Sequence, residues 1–260
     1  MSVHEQAWPD GTPAWTDLAV PDLELARQFY GPLLGWEFDV GPAETGYYTT
    51  ALVGGRAVAA LGPVPPGAEG QPAAWLTHLA TSDANAAAAR AEAAGGQVVL
   101  APMPVMEYGT MAVVADPVGA VFALWQAGSH PGAALVNEPG AMIWNEQLSG
   151  GFEPAKTFYG ALFDGYSFGD LSAPGFDYAT LDLDGRTVGG IGSWHDGPAH
   201  WAVYFAVRDT DATAADAVRL GGSVHREPQD SPYGRVAGIT GPFGERFWLM
   251  STDEPSSPPA

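Results

Sequence analysis

Four side chains in this sequence are suited to acid–base chemistry. Asp17 and Glu146 are carboxylates in short segments that alternate like strands, and His78 and Tyr204 lie in two later segments of the same kind. A carboxylate opposite a histidine or a tyrosine can take part in proton transfer. The oxygens and nitrogen of such a group could also catch a metal ion. The alternative is that all four are partly solvated polar residues lining a wet cleft, and the elements that carry them decide between these interpretations.

The chain repeats itself, and the repeat defines those elements. Ala26–Trp36, ARQFYGPLLGW, returns as Ala155–Tyr166, AKTFYGALFDGY. Trp75–Gly96 is matched in the same way by Trp201–Gly222. A third match joins the segments YGTMAVVADPVGAVFALW and YGRVAGITGPFGERFWLM, which begin at Tyr108 and Tyr233. Repetition at a nearly constant spacing indicates two homologous structural units.

The repeat also sets the expected domain boundaries. We expect a first domain at 12–126 and a second at 141–252. Residues 127–140, AGSHPGAALVNEPG, read as a linker, and residues 253–260 read as a polar tail. Each domain is long enough to bury a core of its own.

Each domain follows the pattern strand, helix, then further strands, and does so twice. Asp22, Asp83 and Asp209 stand where helix N-caps are expected, and Gly35 stands where the first helix ends. Pro154 occupies the expected first position of the third helix. Glycine-marked strands fill the remainder, so the sequence predicts two βαβββ modules in each domain.

These motifs resemble the vicinal oxygen chelate superfamily, which includes glyoxalase I, bleomycin-resistance proteins and extradiol dioxygenases. The resemblance rests on D-x-x-x-A-x-x-F-Y-x-x-x-L-G-W at Asp22, on the A-G-G after the second helix and on Y-G-x-x-A-x-x-x-D-P-x-G at Tyr108. The resemblance covers about residues 12 to 252. The chain is similar to tandem two-domain actinobacterial proteins labelled glyoxalase-like or hydroxylase. This resemblance implies an α+β fold of two tandem domains, each with two βαβββ modules that form a cupped mixed sheet with helices outside.

The resemblance also implies where a divalent metal would be held by His, Gln and Glu side chains. The corresponding positions carry apolar side chains throughout: Trp15, Leu76 and Ala123 in the first domain, and Trp144, Ala202 and Trp248 in the second. We therefore expect neither a metal ion of the superfamily type nor another cofactor.

Strand parity indicates what faces each cup, since residues two apart along a strand point the same way. We define the first cup as the sheet face that carries Asp17 and His78, and the second cup as the face that carries Glu146 and Tyr204. These four residues are the candidate catalytic groups. The candidate ligand contacts are aromatic. Tyr108 and Tyr233 are expected at the rims of the cups. The tryptophans either form flat walls for a ligand or fill the cups themselves: Trp15, Trp75, Trp144, Trp201 and Trp248. Four further histidines are read as surface residues: His4, His130, His195 and His200.

Composition limits the partners. With 10 basic and 30 acidic residues, the formal net charge of −20 disfavours nucleic acid and anionic membranes and favours cationic or neutral ligands. The absence of cysteine excludes disulfides and thiolate chemistry. The N-terminal segment lacks a signal-peptide pattern, so we expect a cytoplasmic protein that is a monomer or a homodimer.

Three functions remain open at this point. The first is a metal-free protein that binds an aromatic or cationic small molecule in its cups. The second is an enzyme, either a glyoxalase-like lyase or a hydroxylase-type oxidoreductase, that uses Asp17 with His78 or Glu146 with Tyr204. The third is a structural or signalling protein whose cups are filled.

Overall fold

The computed structural model describes residues 2–193 and 197–251, so His195 and the expected tail at 253–260 lie outside the described residues. Its helices are α1 (Leu23–Leu34), α2 (Ala84–Ala93), α3 (Phe152–Leu162) and α4 (Thr210–Arg219). The side chains of Asp22, Asp83 and Asp209 accept backbone N–H bonds at the starts of α1, α2 and α4, which confirms the predicted N-caps. Gly35 ends α1 with a left-handed φ of 69°.

The first half forms an eight-stranded mixed sheet. After the short β1 (Ser2–Val3), its strands are β2 (Pro13–Val20), β3 (Glu37–Val40), β4 (Thr49–Val53), β5 (Arg56–Pro63), β6 (Trp75–Ala80), β7 (Gln97–Val105), β8 (Gly109–Ala115) and β9 (Val121–Ala127). They lie in the order β3-β4-β5-β2-β6-β9-β8-β7. The β2–β5 and β6–β9 pairs are parallel, and β2 pairs with β6 antiparallel at the centre.

The second half repeats this sheet. After β10 (Leu135–Val136), its strands are β11 (Met142–Leu148), β12 (Tyr166–Asp170), β13 (Tyr178–Leu183), β14 (Arg186–Gly192), β15 (His200–Val207), β16 (Ser223–Ser231), β17 (Gly234–Thr240) and β18 (Arg246–Ser251). Their order is β12-β13-β14-β11-β15-β18-β17-β16, which matches the first sheet strand for strand. The fold is therefore α+β with two tandem domains, as the repeat predicts.

Two details differ from the sequence prediction. Pro154 is the third residue of α3 and not the first, because α3 begins at Phe152. The segment read as a linker contains a strand that the sequence did not predict, because β10 within it pairs antiparallel with β1. Within the described part of the chain, no helix has the length and apolar character needed to cross a membrane.

The repeated Phe-Tyr-Gly motif joins the two halves. The Tyr30 hydroxyl on α1 donates to Glu245 Oε1 of the second half at 2.6 Å. The equivalent Tyr159 hydroxyl on α3 donates to Asp116 Oδ2 of the first half at 3.1 Å. All four side chains are buried, so each copy of the motif supplies a donor to a buried carboxylate in the other half of the chain.

Candidate functional site

In the first cup, Asp17 is the centre of a small polar cluster. Its Oδ1 lies 3.2 Å from His78 Nε2, and its Oδ2 accepts a hydrogen bond from the Tyr48 hydroxyl at 2.9 Å. Trp15 Nε1 donates to the same hydroxyl at 3.1 Å. Trp15 and Asp17 therefore point to one face of β2, as strand parity predicts. The Asp17 side chain is 21% exposed, so the carboxylate remains open to a ligand.

Two histidines, His78 and His130, lie near Asp17 in the first cup. His78 is buried, and neither of its ring nitrogens makes a hydrogen bond in the described residues, although Nε2 lies within ion-pair distance of Asp17. His130 lies edge-on to Trp15, with ring centroids 4.5 Å apart, and close to Trp125 at 5.7 Å. Burial and, to a smaller extent, the nearby His78 lower the pKa of His130 to about 4, whereas the charge of Asp17 acts to raise it. The interpretation of His130 as a plain surface residue is therefore wrong.

In the second cup, the Glu146 carboxylate receives three neutral donors. The Tyr204 hydroxyl donates to Oε1 at 2.5 Å, and the Tyr178 hydroxyl donates to Oε2 at 2.6 Å. Trp144 Nε1 approaches Oε2 at 3.3 Å and the Tyr178 oxygen at 3.2 Å. In residues 2–193 and 197–251, Glu146 forms no ion pair with a lysine or arginine.

The two tyrosines of the second cup are fixed donors. Burial, and then the charge of Glu146, raise the pKa of both Tyr178 and Tyr204 above the usual value for tyrosine. Both hydroxyls therefore keep their protons at neutral pH. This arrangement suits them to hold the Glu146 carboxylate in place.

An aromatic stack lies beside this carboxylate. Tyr204 on β15 is paired in register with Trp248 on the parallel strand β18, and their rings stack with centroids 5.4 Å apart and planes 12° apart. His225 packs edge-on against Trp248 at 5.4 Å. At the position of Trp248 the first sheet has Ala123, paired with His78. The second cup therefore contains a flat aromatic wall that the first cup lacks at this position.

The residues in the cups do not fit the metal site that the fold family implies. The cup-facing side chains of Trp15, Leu76 and Ala123 offer no metal-ligating atom in the first half, and those of Trp144, Ala202 and Trp248 offer none in the second. Over the residues described, no three His, Asp or Glu side chains come together as a metal site. The expected absence of a bound metal stays a prediction for measurement.

Two of the candidate ligand contacts do not lie in the cups. Trp75 Nε1 donates to the Tyr30 hydroxyl at 3.3 Å, and Trp201 Nε1 donates to the Tyr159 hydroxyl at 2.8 Å. Both indoles are buried with helix residues on the opposite face of their sheets, because each is an odd number of residues from the cup-facing residue of its strand. Trp75 and Trp201 thus belong to the core between the halves.

The two rim tyrosines lie at hairpin tips. Tyr108 is in the β7–β8 turn, where its backbone oxygen accepts from the N–H groups of Gly128 and His130. Tyr233 is in the β16–β17 turn with 65% of its surface exposed, and it is near enough to Tyr178 to affect its ionisation. Their contact with a ligand stays a prediction.

Tyr48 and Tyr178, which complete the two clusters, were not among the predicted site residues. The repeat contained a signal for them. The segment ALVGGRAVAALG, which begins at Ala51, matches LDLDGRTVGGIG, which begins at Leu181, and this match makes Tyr48 and Tyr178 equivalent. His225 was also missed. Its counterpart in the first half is Val99, so the repeat carries no signal for it.

Comparison with protein-family models gives one match that covers both halves. The model of the "Glyoxalase/Bleomycin resistance protein/Dioxygenase superfamily" matches residues 12–124 and 152–249. Among curated proteins, the chain is 42% identical over 247 residues to "Putative glyoxylase CFP32" of Mycobacterium tuberculosis, covering 92% of this chain and 94% of that protein. It is 39% identical over 260 residues to "Anthracycline biosynthesis protein DnrV" of Streptomyces peucetius, covering 94% of each.

Solved structures show the same fold. A Mn(II)-bound glyoxalase from Novosphingobium aromaticivorans matches with a TM-score of 0.66 and 17% identity, over 95% of this chain and 84% of that one. A variant of homoprotocatechuate 2,3-dioxygenase from B. fuscum matches with a TM-score of 0.67 and 17% identity, over 100% of this chain and 76% of that one. At this identity the likeness extends to the fold and not to the chemistry.

Proposed function

The chain belongs to the glyoxalase/bleomycin resistance protein/dioxygenase superfamily, and within it we propose that this protein binds an aromatic, positively charged metabolite without using a metal ion. The second cup is the principal site. The first cup, with its more exposed carboxylate, is a second site of the same general kind.

The observation that carries this proposal is the environment of Glu146. A carboxylate offers about four acceptor positions, of which Tyr204, Tyr178 and Trp144 use three. No cationic side chain of the described residues pairs with it. A ligand ammonium would fill the remaining position, and its aromatic portion would lie along the Trp144 indole and the stack at Trp248. The net charge of −20 would draw a cation toward the cup.

The names of two of the relatives support the same ligand class. DnrV and DauV, 39% and 38% identical to this chain, are both called anthracycline biosynthesis proteins. An anthracycline is a planar aromatic ring system that carries an amino sugar, so it combines the flat surface and the positive charge that the second cup suits.

The first cup favours a second candidate function, which is acid–base catalysis. Asp17 and His78 Nε2 lie 3.2 Å apart, and the partly exposed Asp17 carboxylate could take a proton from a substrate beside the buried imidazole. This would make the protein a glyoxalase-like lyase or a hydroxylase-type oxidoreductase. Turnover that is lost in Asp17→Ala would support this candidate, whereas saturable binding without turnover supports the binding protein.

The test is a titration of the purified protein with an amino-sugar anthracycline in the presence of a chelator. We expect saturable binding, an unchanged ligand mass afterwards and less than stoichiometric divalent metal by elemental analysis. Trp144→Ala should weaken binding about ten-fold through the lost stacking, and the equivalent Trp15→Ala should not affect the second cup. No binding at millimolar ligand, or one tightly held metal ion per domain, would contradict the proposal.

A further inference from the structure

A cavity of about 220 Å³ lies where the two halves and the linker meet. It is separate from the polar clusters at Asp17 and Glu146, although Trp144 contributes to both the cavity and the second cup. The residues of its wall that matter for recognition are Trp8 and Pro13 from the first half, and Ile143, Trp144, Asn145 and Val188 from the second.

The cavity exists because the linker covers only one of two equivalent surfaces. In the first half, the N–H groups of Ala133 and Ala134 donate to the carbonyl oxygens of Ala14 and Ala57 at 2.7 and 2.8 Å. The equivalent residues of the second half are Ile143 and Thr187, and no linker N–H in the described chain bonds to them. The second half therefore keeps open a groove that the first half has closed.

Asn145 gives this groove its chemistry. Its side chain is 4% exposed, and its Oδ1 accepts from the Thr77 hydroxyl at 2.9 Å. Among the described residues, its Nδ2 donates to the Met142 sulfur, at 3.7 Å, and to no oxygen, and a thioether is a weak acceptor. A buried amide N–H without an oxygen acceptor is costly, so a ligand oxygen that bonded to it would bind favourably.

The remaining walls set the ligand class. Trp8 and Trp144 provide aromatic surface, Ile143 and Val188 provide aliphatic surface, and no charged side chain among the residues that the structure describes lines the cavity. Its volume exceeds the roughly 150 Å³ of a cavity that holds benzene. We propose that this groove is a second ligand site that takes a neutral aromatic molecule, somewhat larger than benzene, with a carbonyl oxygen directed at Asn145 Nδ2. The site is independent of whether the cups bind a ligand.

The tryptophan indole N–H signals of the intact protein, labelled with ¹⁵N-tryptophan, report on this site. The probes are acetophenone and ethylbenzene, which differ chiefly in the carbonyl group, and Trp→Phe variants assign the signals. We expect acetophenone to shift the signals of Trp8 and Trp144 saturably and to leave those of Trp75 and Trp201 unchanged. A shift at Trp248 and Trp144 without one at Trp8 would place the ligand in the cup and overturn the proposal.

Two variants test the mode of binding. Thr187→Trp fills the exposed mouth of the groove and should abolish the shifts, whereas Ser167→Trp, at an exposed strand position outside the groove, should not. Thr77→Val with Asn145→Leu removes both partners of a buried hydrogen bond, so the fold should be retained. This double variant should weaken the binding of acetophenone about five-fold and leave the binding of ethylbenzene unchanged. The proposal would be contradicted if Thr187→Trp bound acetophenone as tightly as wild type does. It would also be contradicted if the double variant lost the same affinity for acetophenone and for ethylbenzene.

Discussion

At the residue scale, the two cups have diverged around a shared plan. Asp17 and Glu146 are equivalent carboxylates, and each accepts from an equivalent tyrosine, Tyr48 or Tyr178. The second partner of the carboxylate differs, because His78 of the first cup is replaced by Tyr204 in the second. An imidazole can both donate and accept a hydrogen bond, whereas Tyr204, whose pKa is raised by burial and by the charge of Glu146, stays a donor. The first cup is therefore better suited to proton transfer and the second to holding a fixed negative charge.

His130 should make the stability of the protein depend on pH. Its pKa is about 4 in the folded chain, against 6.5 for an ordinary histidine, so the unfolded chain binds more protons between these values. The stabilisation is complete above pH 6.5 and is lost as the pH falls toward 4. We expect His130→Phe, which retains an aromatic ring between Trp15 and Trp125, to lose less stability than wild type over that interval. Urea denaturation at pH 7, 5.5 and 4.5 measures this, with His200→Phe as the control, and parallel losses in wild type and His130→Phe would contradict it.

Strand parity predicted part of the candidate site and missed the rest for a physical reason. Asp17 and Glu146 were placed correctly because a regular strand directs alternate side chains to one face. His130 could not be placed in this way, because it lies in a linker whose path is fixed by backbone bonds to Tyr108. Parity also shows that Trp75 cannot share the face of His78, three positions along the strand.

At the element scale, the helices α1 and α3 each place one tyrosine hydroxyl on a buried carboxylate of the other half. Tyr30→Phe would leave Glu245 without its side-chain donor, and Tyr159→Phe would remove one of several donors to Asp116. Each should lower the free energy of unfolding by about 1–3 kcal/mol, with the larger loss for Tyr30→Phe. Urea denaturation checks this, and the exposed Tyr233→Phe is the control. A loss no larger than that of the control would show that these bonds do not stabilise the junction.

The elements themselves were largely predictable. N-cap aspartates and terminal glycines mark where helices begin and end, and the repeat shows that the second half has the same strands as the first. The start of α3 was misplaced because Gly151 caps it without a side chain, so only Pro154 was available as a signal. The bonds of Tyr30 and Tyr159 across the halves were not predictable, since the repeat does not show how its copies face each other.

At the scale of the whole molecule, the halves should fold as one unit. Phe29 and Tyr30 of α1 pack against Phe247 of the second half, and Trp36 Nε1 donates to Gly140 O at 2.6 Å. A fragment of residues 1–137 would expose this apolar surface to water. We expect it to lack the cooperative thermal transition of the full chain and to bind a hydrophobic dye. Cooperative unfolding at the temperature of the intact protein would show that the halves are independent.

The central claim is that Glu146 recognises the charge of an aromatic cation, and one set of titrations tests it. The ligands are an amino-sugar anthracycline and its neutral N-acetyl derivative, and the proteins are wild type, Glu146→Gln and the equivalent Asp17→Asn. Since a hydrogen bond between charged groups is stronger than a neutral one, Glu146→Gln should weaken the amine about ten-fold and leave the N-acetyl derivative nearly unchanged. Asp17→Asn should leave the affinity of the second cup for both ligands unaltered. Equal losses for the charged and neutral ligands in Glu146→Gln would contradict the account.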